Sequence, residues 1–208
     1  MTRPDTLAFV TGTTTDIGKT WWTARVATLL CADGVAVAAR KPAQSGDGRG
    51  ARDSDVLAAA TGEKPARVCP PHRTFSVAWA PPMAAAELGL APFTIADLVD
   101  ETTWDAGTRV GFVEGVGGPR SPIASDGDNV DLARALAPDV VVVVADAGLG
   151  TVNAVRLTVP VFAGFPVVVA LNRYEERGLP LRNRDLLAAD GYDIVTSPEE
   201  LARRLVRA

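Results

Sequence analysis

Residues 7–20 read Leu-Ala-Phe-Val-Thr-Gly-Thr-Thr-Thr-Asp-Ile-Gly-Lys-Thr. The apolar start of this stretch predicts a buried strand, and the glycines and small hydroxyl residues predict a loop whose backbone N–H groups turn towards anionic oxygens. The helix that Lys19 opens places the positive end of its dipole below the phosphates. Lys19 supplies an ammonium group for the terminal phosphates and Thr20 a hydroxyl for Mg²⁺, so the stretch predicts an ATP or GTP site.

The spacing of this loop departs from the usual phosphate loop. Five residues separate Gly12 from Gly18, whereas four are usual before Gly-Lys-Thr. The alternative interpretation is a glycine turn before an amphipathic helix. We favour the phosphate site because each position of Gly-Lys-Thr after an apolar strand has a physical role.

Composition predicts one α/β domain over residues 1–208, with a sizeable core. Hydrophobic residues make up 47% of the chain and the formal net charge is −4, which argues against a nucleic-acid-binding surface. The polar start and the lack of a run of about 20 apolar residues predict a cytoplasmic protein without a membrane segment. Cys31 and Cys69 are expected to be reduced thiols, and a single histidine disfavours a histidine metal site or a Ser-His-Asp triad.

Three further candidates follow predicted strands or open a predicted helix. Lys41 follows the strand 35–39, at the edge where open α/β sheets bind ligands, although a solvated lysine is the alternative. In Asp53-Ser54-Asp55 we expect Asp53 to cap a helix, while Asp55 is either a metal ligand or an acid favoured by the helix dipole. Glu114 ends the strand 109–113 before several glycines, so it suits a second Mg²⁺ contact, or else belongs to a simple turn.

The second half of the chain continues the pattern. Residues 139–145 contain five consecutive valines and predict a fully buried parallel strand, and the loop that follows leads into a helix at about Thr151. The next predicted strand, 166–171, ends at Asn172, and Ser197 is expected to cap the last helix. Trp21 and Trp22 are expected to pack against the sheet or a subunit neighbour rather than to stack on a base.

Five motifs stand in order: the stretch 7–20, Lys-Pro-Ala-Gln-Ser-Gly from Lys41, Asp53-Ser54-Asp55, Val-Glu-Gly-Val-Gly-Gly from residue 113, and Gly-Leu-Gly-Thr-Val-Asn at 148–153. Together they resemble the dethiobiotin synthetases, in which the longer phosphate loop is usual. The resemblance implies a P-loop NTPase-like fold, with a mostly parallel central sheet flanked by helices. It also implies a homodimer that uses Mg²⁺ and ATP to close a cyclic urea from 7,8-diaminopelargonate and CO₂.

The resemblance also implies a role for each matched residue. Lys19 and Lys41 would be catalytic and would neutralise the phosphoryl and carbamate oxygens. The metal would be held by Thr20, Asp55 and Glu114. The nucleotide would be bound by Gly12, Thr15, Asp16, Ile17, Gly18, Lys19, Thr20 and, at the adenine, Asn172. The substrate would contact Thr15, Lys41 and Ser45, and its far carboxylate would meet Gly150, Thr151, Val152 and Asn153 of the other subunit.

The chain departs from the family at Trp21-Trp22, at Pro81-Pro82-Met83 and at Ala154. The segment expected to cover adenine is assigned to residues 196–198. One alternative is therefore a related ATP-dependent carboxylase or ligase acting on another amine. A second is a partitioning-type switch ATPase, but residues 11–17 lack its signature lysine. A third is a nucleotide-binding protein without catalysis, which leaves both lysines and the metal oxygens unexplained.

Overall fold

The computed structural model describes residues 3–206, so the first and last two residues of the expected 1–208 domain lie outside it. Six parallel strands form the central sheet in the order β10-β9-β8-β1-β5-β2, and two small two-stranded sheets pair β3 with β4 and β6 with β7. The strands are β1 Thr6–Gly12, β2 Val37–Arg40, β3 Gln44–Ser45, β4 Thr74–Phe75, β5 Val110–Glu114, β6 Pro122–Ala124, β7 Gly127–Asp128, β8 Val140–Asp146, β9 Val167–Asn172 and β10 Asp193–Val195.

Helices cover both faces of the central sheet, which confirms the predicted fold class. They are α1 Lys19–Ala32, α2 Asp53–Thr61, α3 Pro65–Val68, α4 Pro81–Glu87, α5 Ile95–Glu101, α6 Asn129–Leu136, α7 Thr151–Thr158, α8 Gly178–Ala189 and α9 Pro198–Leu205. Among the described residues, no helix is long and apolar enough to cross a bilayer.

The valines of β8 explain why this strand lies inside. Val142 and Val144 pack into the core on the α1 side of the sheet, with Trp22, Val26 and Leu30. Val141 and Val143 point to the opposite face and join the core that contains Leu98 and Leu132 of α5 and α6. A strand with apolar neighbours on both faces has no polar face, so Val141 to Val144 are fully buried, and only Val140, at the start of the strand, is partly exposed.

Strand order brings the predicted site residues to one edge. β5 pairs with both β1 and β2, and all three run parallel, so the loop after β1, Glu114 at the end of β5 and Lys41 just after β2 are neighbours. β8 pairs with the other side of β1, and β9 with β8, which brings Asn172 to the same edge. This edge is where a doubly covered parallel sheet leaves room for a ligand.

Candidate functional site

The phosphate loop depends on close backbone approaches at its two glycines. A Cβ at Gly12 would lie 2.5 Å from Cγ2 of Ile17, and one at Gly18 would lie 2.3 Å from Nδ2 of Asn172. Gly18 also has φ of 101° and directly precedes α1, a conformation that favours glycine. Asn172 donates from Nδ2 to the carbonyl of Ile17 at 2.8 Å, so the end of β9 holds the loop in place. Ile17 itself is buried below the loop, where its side chain belongs to the core.

Lys19 is largely buried at the start of α1, with Nζ 3.2 Å from the carbonyl oxygen of Thr14. Burial, followed by the nearby ammonium of Lys41, lowers the pKa of Lys19 from its ordinary value. Bound phosphates would favour the charged form, because their negative charge would add to that of Glu114, Asp53 and Asp16. The side chain is therefore held next to the loop in a position suited to an anion.

Two carboxylate oxygens converge on the Thr20 hydroxyl. Its Oγ1 lies 2.9 Å from Oδ1 of Asp53 and 2.7 Å from Oε1 of Glu114. One hydroxyl has one hydrogen, so it can donate to only one of the two carboxylates. A hard cation would relieve the remaining contact between oxygens, and Mg²⁺ commonly uses one or two carboxylates together with substrate phosphates.

These oxygens fit the metal that the resemblance implies, although the donor set is small. Within the part of the chain that the structure describes, no group of three or more histidine, cysteine, aspartate or glutamate side chains is arranged to hold a metal. Two carboxylates and a hydroxyl beside a phosphate loop are sufficient for a cation that takes its other ligands from a nucleotide and from water.

Lys41 joins the two carboxylates. Its Nζ lies 2.8 Å from Asp53 Oδ2, 2.8 Å from Glu114 Oε1 and 2.9 Å from the carbonyl oxygen of Gly115. The three ammonium hydrogens therefore all have acceptors. Burial alone would lower the pKa of Lys41, but the charges of Glu114 and Asp53 outweigh it and raise the pKa. Asp53 is likewise desolvated, which would raise its pKa, yet Lys41 holds that pKa below its usual value.

The structure brings Asp53, not Asp55, next to Thr20. The expected N-cap role of Asp53 is wrong, because Arg52 occupies the N-cap and Asp53 is the first helical residue, with its carboxylate turned to the cluster. Asp55 instead pairs with Arg52, at 3.3 Å. Sequence reasoning missed Asp53, although an acid two positions before a candidate ligand at a helix start was a usable signal.

A cavity of about 1020 Å³ lies over the phosphate loop. The polypeptide 44–53 forms one wall, and Asp55 contributes to the lining, so both aspartates border the same space. Ser45 also lines it and donates a hydrogen bond to the carbonyl of Trp79 at 2.6 Å. The sequence-predicted residues that line this cavity are Thr15, Asp16, Gly18, Lys19, Thr20, Lys41, Ser45 and Asp55.

A second cavity of about 530 Å³ adjoins the first. Both cavities are lined by Gly18 and Trp21, so these residues mark their junction. The second cavity contains Asn172, together with Thr196 and Pro198 of the segment expected to cover adenine. A nucleotide with its phosphates on the loop would therefore have a neighbouring space for its base.

The loop between β8 and α7 lies apart from both cavities. None of the four residues from Gly150 to Asn153 lines either of these two spaces. Leu149 is 94% exposed, and the Thr151 hydroxyl is buried without a hydrogen-bond partner among residues 3–206. Within a single chain this predicted substrate loop therefore borders neither the cavity lined by Lys19 and Lys41 nor the second one.

Comparison with known proteins agrees with the motifs. A family model described as an AAA domain matches residues 6–192. The chain is 37% identical over 208 residues to an ATP-dependent dethiobiotin synthetase of Rhodococcus jostii, covering 96% of this chain and 88% of that protein. It is 38% identical to the protein of the same name from Anaeromyxobacter dehalogenans, covering 79% and 75% of the two chains.

Among solved structures, the chain is similar in fold to the signal recognition particle receptor FtsY of Elizabethkingia anophelis, solved in complex with GDP. The TM-score is 0.52 at 16% identity, and the match covers 94% of this chain and 57% of that one. This likeness concerns the fold alone.

Proposed function

The chain belongs to the family of ATP-dependent dethiobiotin synthetases, and from this membership we propose that it forms the cyclic urea of dethiobiotin from 7,8-diaminopelargonate and CO₂. ATP is the co-substrate and leaves as ADP and phosphate. The observation that carries the proposal is the cluster of Lys41, Glu114 and Thr20 directly beside the phosphate loop. It joins an ammonium group and hard oxygen ligands at one edge of the sheet, as transfer of a phosphoryl group to an anion requires.

Mg²⁺ is the proposed metal. Thr20, Glu114 and Asp55 would hold it as the resemblance implies, and Asp53 joins this proposal because of its contact with Thr20. When bound, Mg²⁺ supplies charge neutralisation for the phosphate oxygens. The protein residues around the Mg²⁺ ion determine where its positive charge lies.

In the proposed reaction, one amine of the substrate captures CO₂ as a carbamate. A carbamate oxygen attacks the γ-phosphorus of ATP, the bond to the β-phosphate oxygen breaks, and ADP leaves. The second amine then attacks the carbamate carbon, the phosphate group departs with the bonding electrons, and the attacking nitrogen loses a proton to solvent. The ammonium group of Lys19 stabilises the negative charge on the transferred phosphoryl group, and that of Lys41 binds the carbamate oxygens.

For Lys41 to hold a carbamate, it must release one of its three acceptors. Asp53 is the acceptor that can be exchanged, because its side chain is 41% exposed whereas that of Glu114 is fully buried. Thr15 and Ser45 line the same cavity and are proposed to face the diamine. Gly12, Asp16, Ile17 and Gly18 are proposed to form the phosphate cradle, with Asn172 at the adenine.

A homodimer is proposed to complete the site. The separation of residues 150–153 from the two cavities supports a second subunit as the source of the carboxylate-binding loop. Leu149 and Leu157, which are 94% and 68% exposed, provide apolar surface for such a contact. We further propose a single domain over residues 1–208 that acts in the cytoplasm without nucleic-acid or membrane partners.

The test is phosphate release from ATP with purified protein, in the presence and absence of 7,8-diaminopelargonate and bicarbonate. We expect release that requires both additions, and a product whose mass equals the diamine plus a carbonyl group minus two hydrogens. Lys19→Ala is the matched negative control, since its ammonium group is the one placed against the loop.

Other outcomes would redirect the proposal. Phosphate release that does not depend on the diamine would contradict it and favour a switch ATPase. Phosphate release that depends on the diamine but yields no cyclic product would support a ligase that acts on a different amine.

A further inference from the structure

The two adjacent tryptophans at the start of α1 have different environments. Trp22 is 2% exposed and packs in the core on the α1 face of the sheet, which is one of the two environments expected for these tryptophans. Trp21 is 51% exposed. The rings meet edge to face, with their centroids 5.9 Å apart and an interplanar angle of 80°. The buried indole of Trp22 therefore supports the exposed indole of Trp21. This contact reduces the side-chain conformational entropy that Trp21 would lose on binding a ligand.

Trp21 lies at the junction of the two cavities. It follows Thr20 directly, so the chain passes from the metal and phosphate ligands to this indole within one residue. The same indole lines the 530 Å³ cavity together with Asn172, Tyr174 and Thr196. A ligand that extends from the phosphate loop into the second cavity must pass Trp21.

The second cavity also contains buried polar groups that need partners. Nε1 of Trp22 and the hydroxyl oxygen of Tyr174 are both buried without a hydrogen-bond partner in the part of the chain described. Both residues line this cavity. Unsatisfied buried groups are rare in folded proteins, and two of them belong to residues that line this cavity.

We propose that Trp21 is the stacking surface for the nucleoside of the bound nucleotide and that this indole supplies much of the affinity for the base. The inference rests on the proposed use of ATP and goes beyond it by assigning base affinity to a residue at which the chain departs from the family. Each nucleobase has a π face, so stacking tolerates base identity. Asn172 has only part of its amide left to discriminate between bases, because one Nδ2 hydrogen is already donated to the carbonyl of Ile17.

The experiment separates the two cavities by the choice of ligand. Calorimetric titration with Mg·ATP, Mg·GTP and Mg·tripolyphosphate is carried out on the wild type, Trp21→Ala, Trp21→Phe and Trp79→Ala. Tripolyphosphate contacts only the phosphate loop, whereas both nucleotides also fill the second cavity. Trp79 is the matched control because it is 49% exposed and its side chain lines neither cavity.

We expect Trp21→Ala to weaken ATP and GTP binding by about tenfold to a hundredfold and to leave tripolyphosphate binding within about twofold. Trp21→Phe should restore nucleotide affinity to within about threefold of the wild type, since it keeps a ring in place. We also expect ATP to quench the tryptophan fluorescence of the wild type and to quench that of Trp21→Phe much less. Trp79→Ala should bind all three ligands normally.

The inference is wrong if Trp21→Ala binds ATP as the wild type does, or if it loses tripolyphosphate and ATP affinity equally, since the indole would then only support the loop. A loss confined to one nucleotide would also contradict it, because stacking would not be the source of affinity. A wild type that binds neither tripolyphosphate nor ATP would overturn the proposed function itself, and the inference with it.

Discussion

Asp53 and Asp55 lie two positions apart at the start of α2 and have different partners. Asp53 contacts Thr20 and Lys41, whereas Asp55 pairs with Arg52 at the rim of the same cavity. Successive residues of a helix start point in different directions, so spacing alone does not decide which acid reaches the phosphate loop. The two carboxylates therefore form a matched pair for mutation.

We expect Asp53→Asn and Asp55→Asn each to raise the Mg²⁺ concentration needed for half-maximal activity by about tenfold, because an amide oxygen binds a hard cation less strongly than a carboxylate. The measurement is a Mg²⁺ titration of phosphate release at saturating ATP. A curve for Asp55→Asn that superimposes on the wild type would leave Asp53 as the ligand from α2. An unchanged curve for Asp53→Asn would mean that Asp53 pairs with Lys41 and does not bind the metal.

The pair of Lys41 and Glu114 stabilises the fold as well as the site. Both side chains are buried, at 3% and 0% exposure, and Glu114 also accepts from the Thr23 hydroxyl at 3.0 Å. Removing one partner leaves an uncompensated buried charge, which is far more costly than removing both. We expect Lys41→Met to lower the free energy of unfolding by about 3 kcal/mol and Glu114→Gln, added to it, to recover most of that loss.

Urea unfolding of the wild type, both single variants and the double variant measures this coupling. The folded pKa of Lys41 lies above its unfolded value of about 10.4. Its contribution is therefore fully present below that value and is lost as the pH rises through the folded pKa. The difference between wild type and Lys41→Met should be constant from about pH 7 to pH 10, and additive single effects would show that the two charges are not coupled.

At the scale of elements, the phosphate loop is held between α1 and β9. The hydrogen bond from Asn172 to Ile17 and the close approach of Asn172 to Gly18 connect two elements that are far apart in sequence. We call the contacts of Asn172 with Ile17 and Gly18 the clamp. A side chain at Gly18 would therefore disturb the clamp as well as the local backbone.

We expect Gly18→Ala to abolish measurable ATP binding, because the new Cβ would lie 2.3 Å from the Asn172 amide. Gly34→Ala is the control: Gly34 has φ of 77°, but nothing lies within 4 Å of the position that its Cβ would take. It should bind ATP normally and lose about 1 kcal/mol of stability through backbone strain alone. Equal ATP affinity in the two variants would mean that the clamp does not shape the loop.

Elements with strong local signals were predictable from the sequence. The glycine loop and helix α1, the valines of β8 and the cap at Ser197 each carry their own physical cause, and all were confirmed. Helix α8 and strand β10 were not predicted, because α8 lacks a marked apolar face and β10 has only three residues. The contacts of Asp53 depend on how α2 packs against α1, which no local pattern contains.

In the molecule as a whole, we expect a complete site to need two chains. The loop 150–153 presents its glycine at φ of 92°, with nothing within 4 Å of an added Cβ. A side chain can therefore be added at Gly150 without a clash inside the chain. This makes the position suitable for placing a charge against a substrate carboxylate.

Mixing Lys19→Ala subunits with Gly150→Asp subunits should restore about a quarter of wild-type activity if each site uses both chains. Half of the randomly reassorted dimers would then contain one intact site. Gly150→Asn is the control for shape, since it lacks the charge and tolerates the left-handed conformation, and it should retain most activity. If both homodimers are folded and exchange subunits, an inactive mixture would mean that each site is built within one chain.

The position of β1 in the sheet also has a consequence for synthesis. The first strand of the chain lies between β5 and β8, so a ribosome must complete residue 146 before both neighbours of β1 exist. Until then the nascent chain carries an apolar strand with at least one unpaired edge, and the valines of β8 emerge as a further segment of high β propensity. Translation of this gene product therefore includes an interval in which chaperone protection matters most, and it closes only after β8 leaves the exit tunnel.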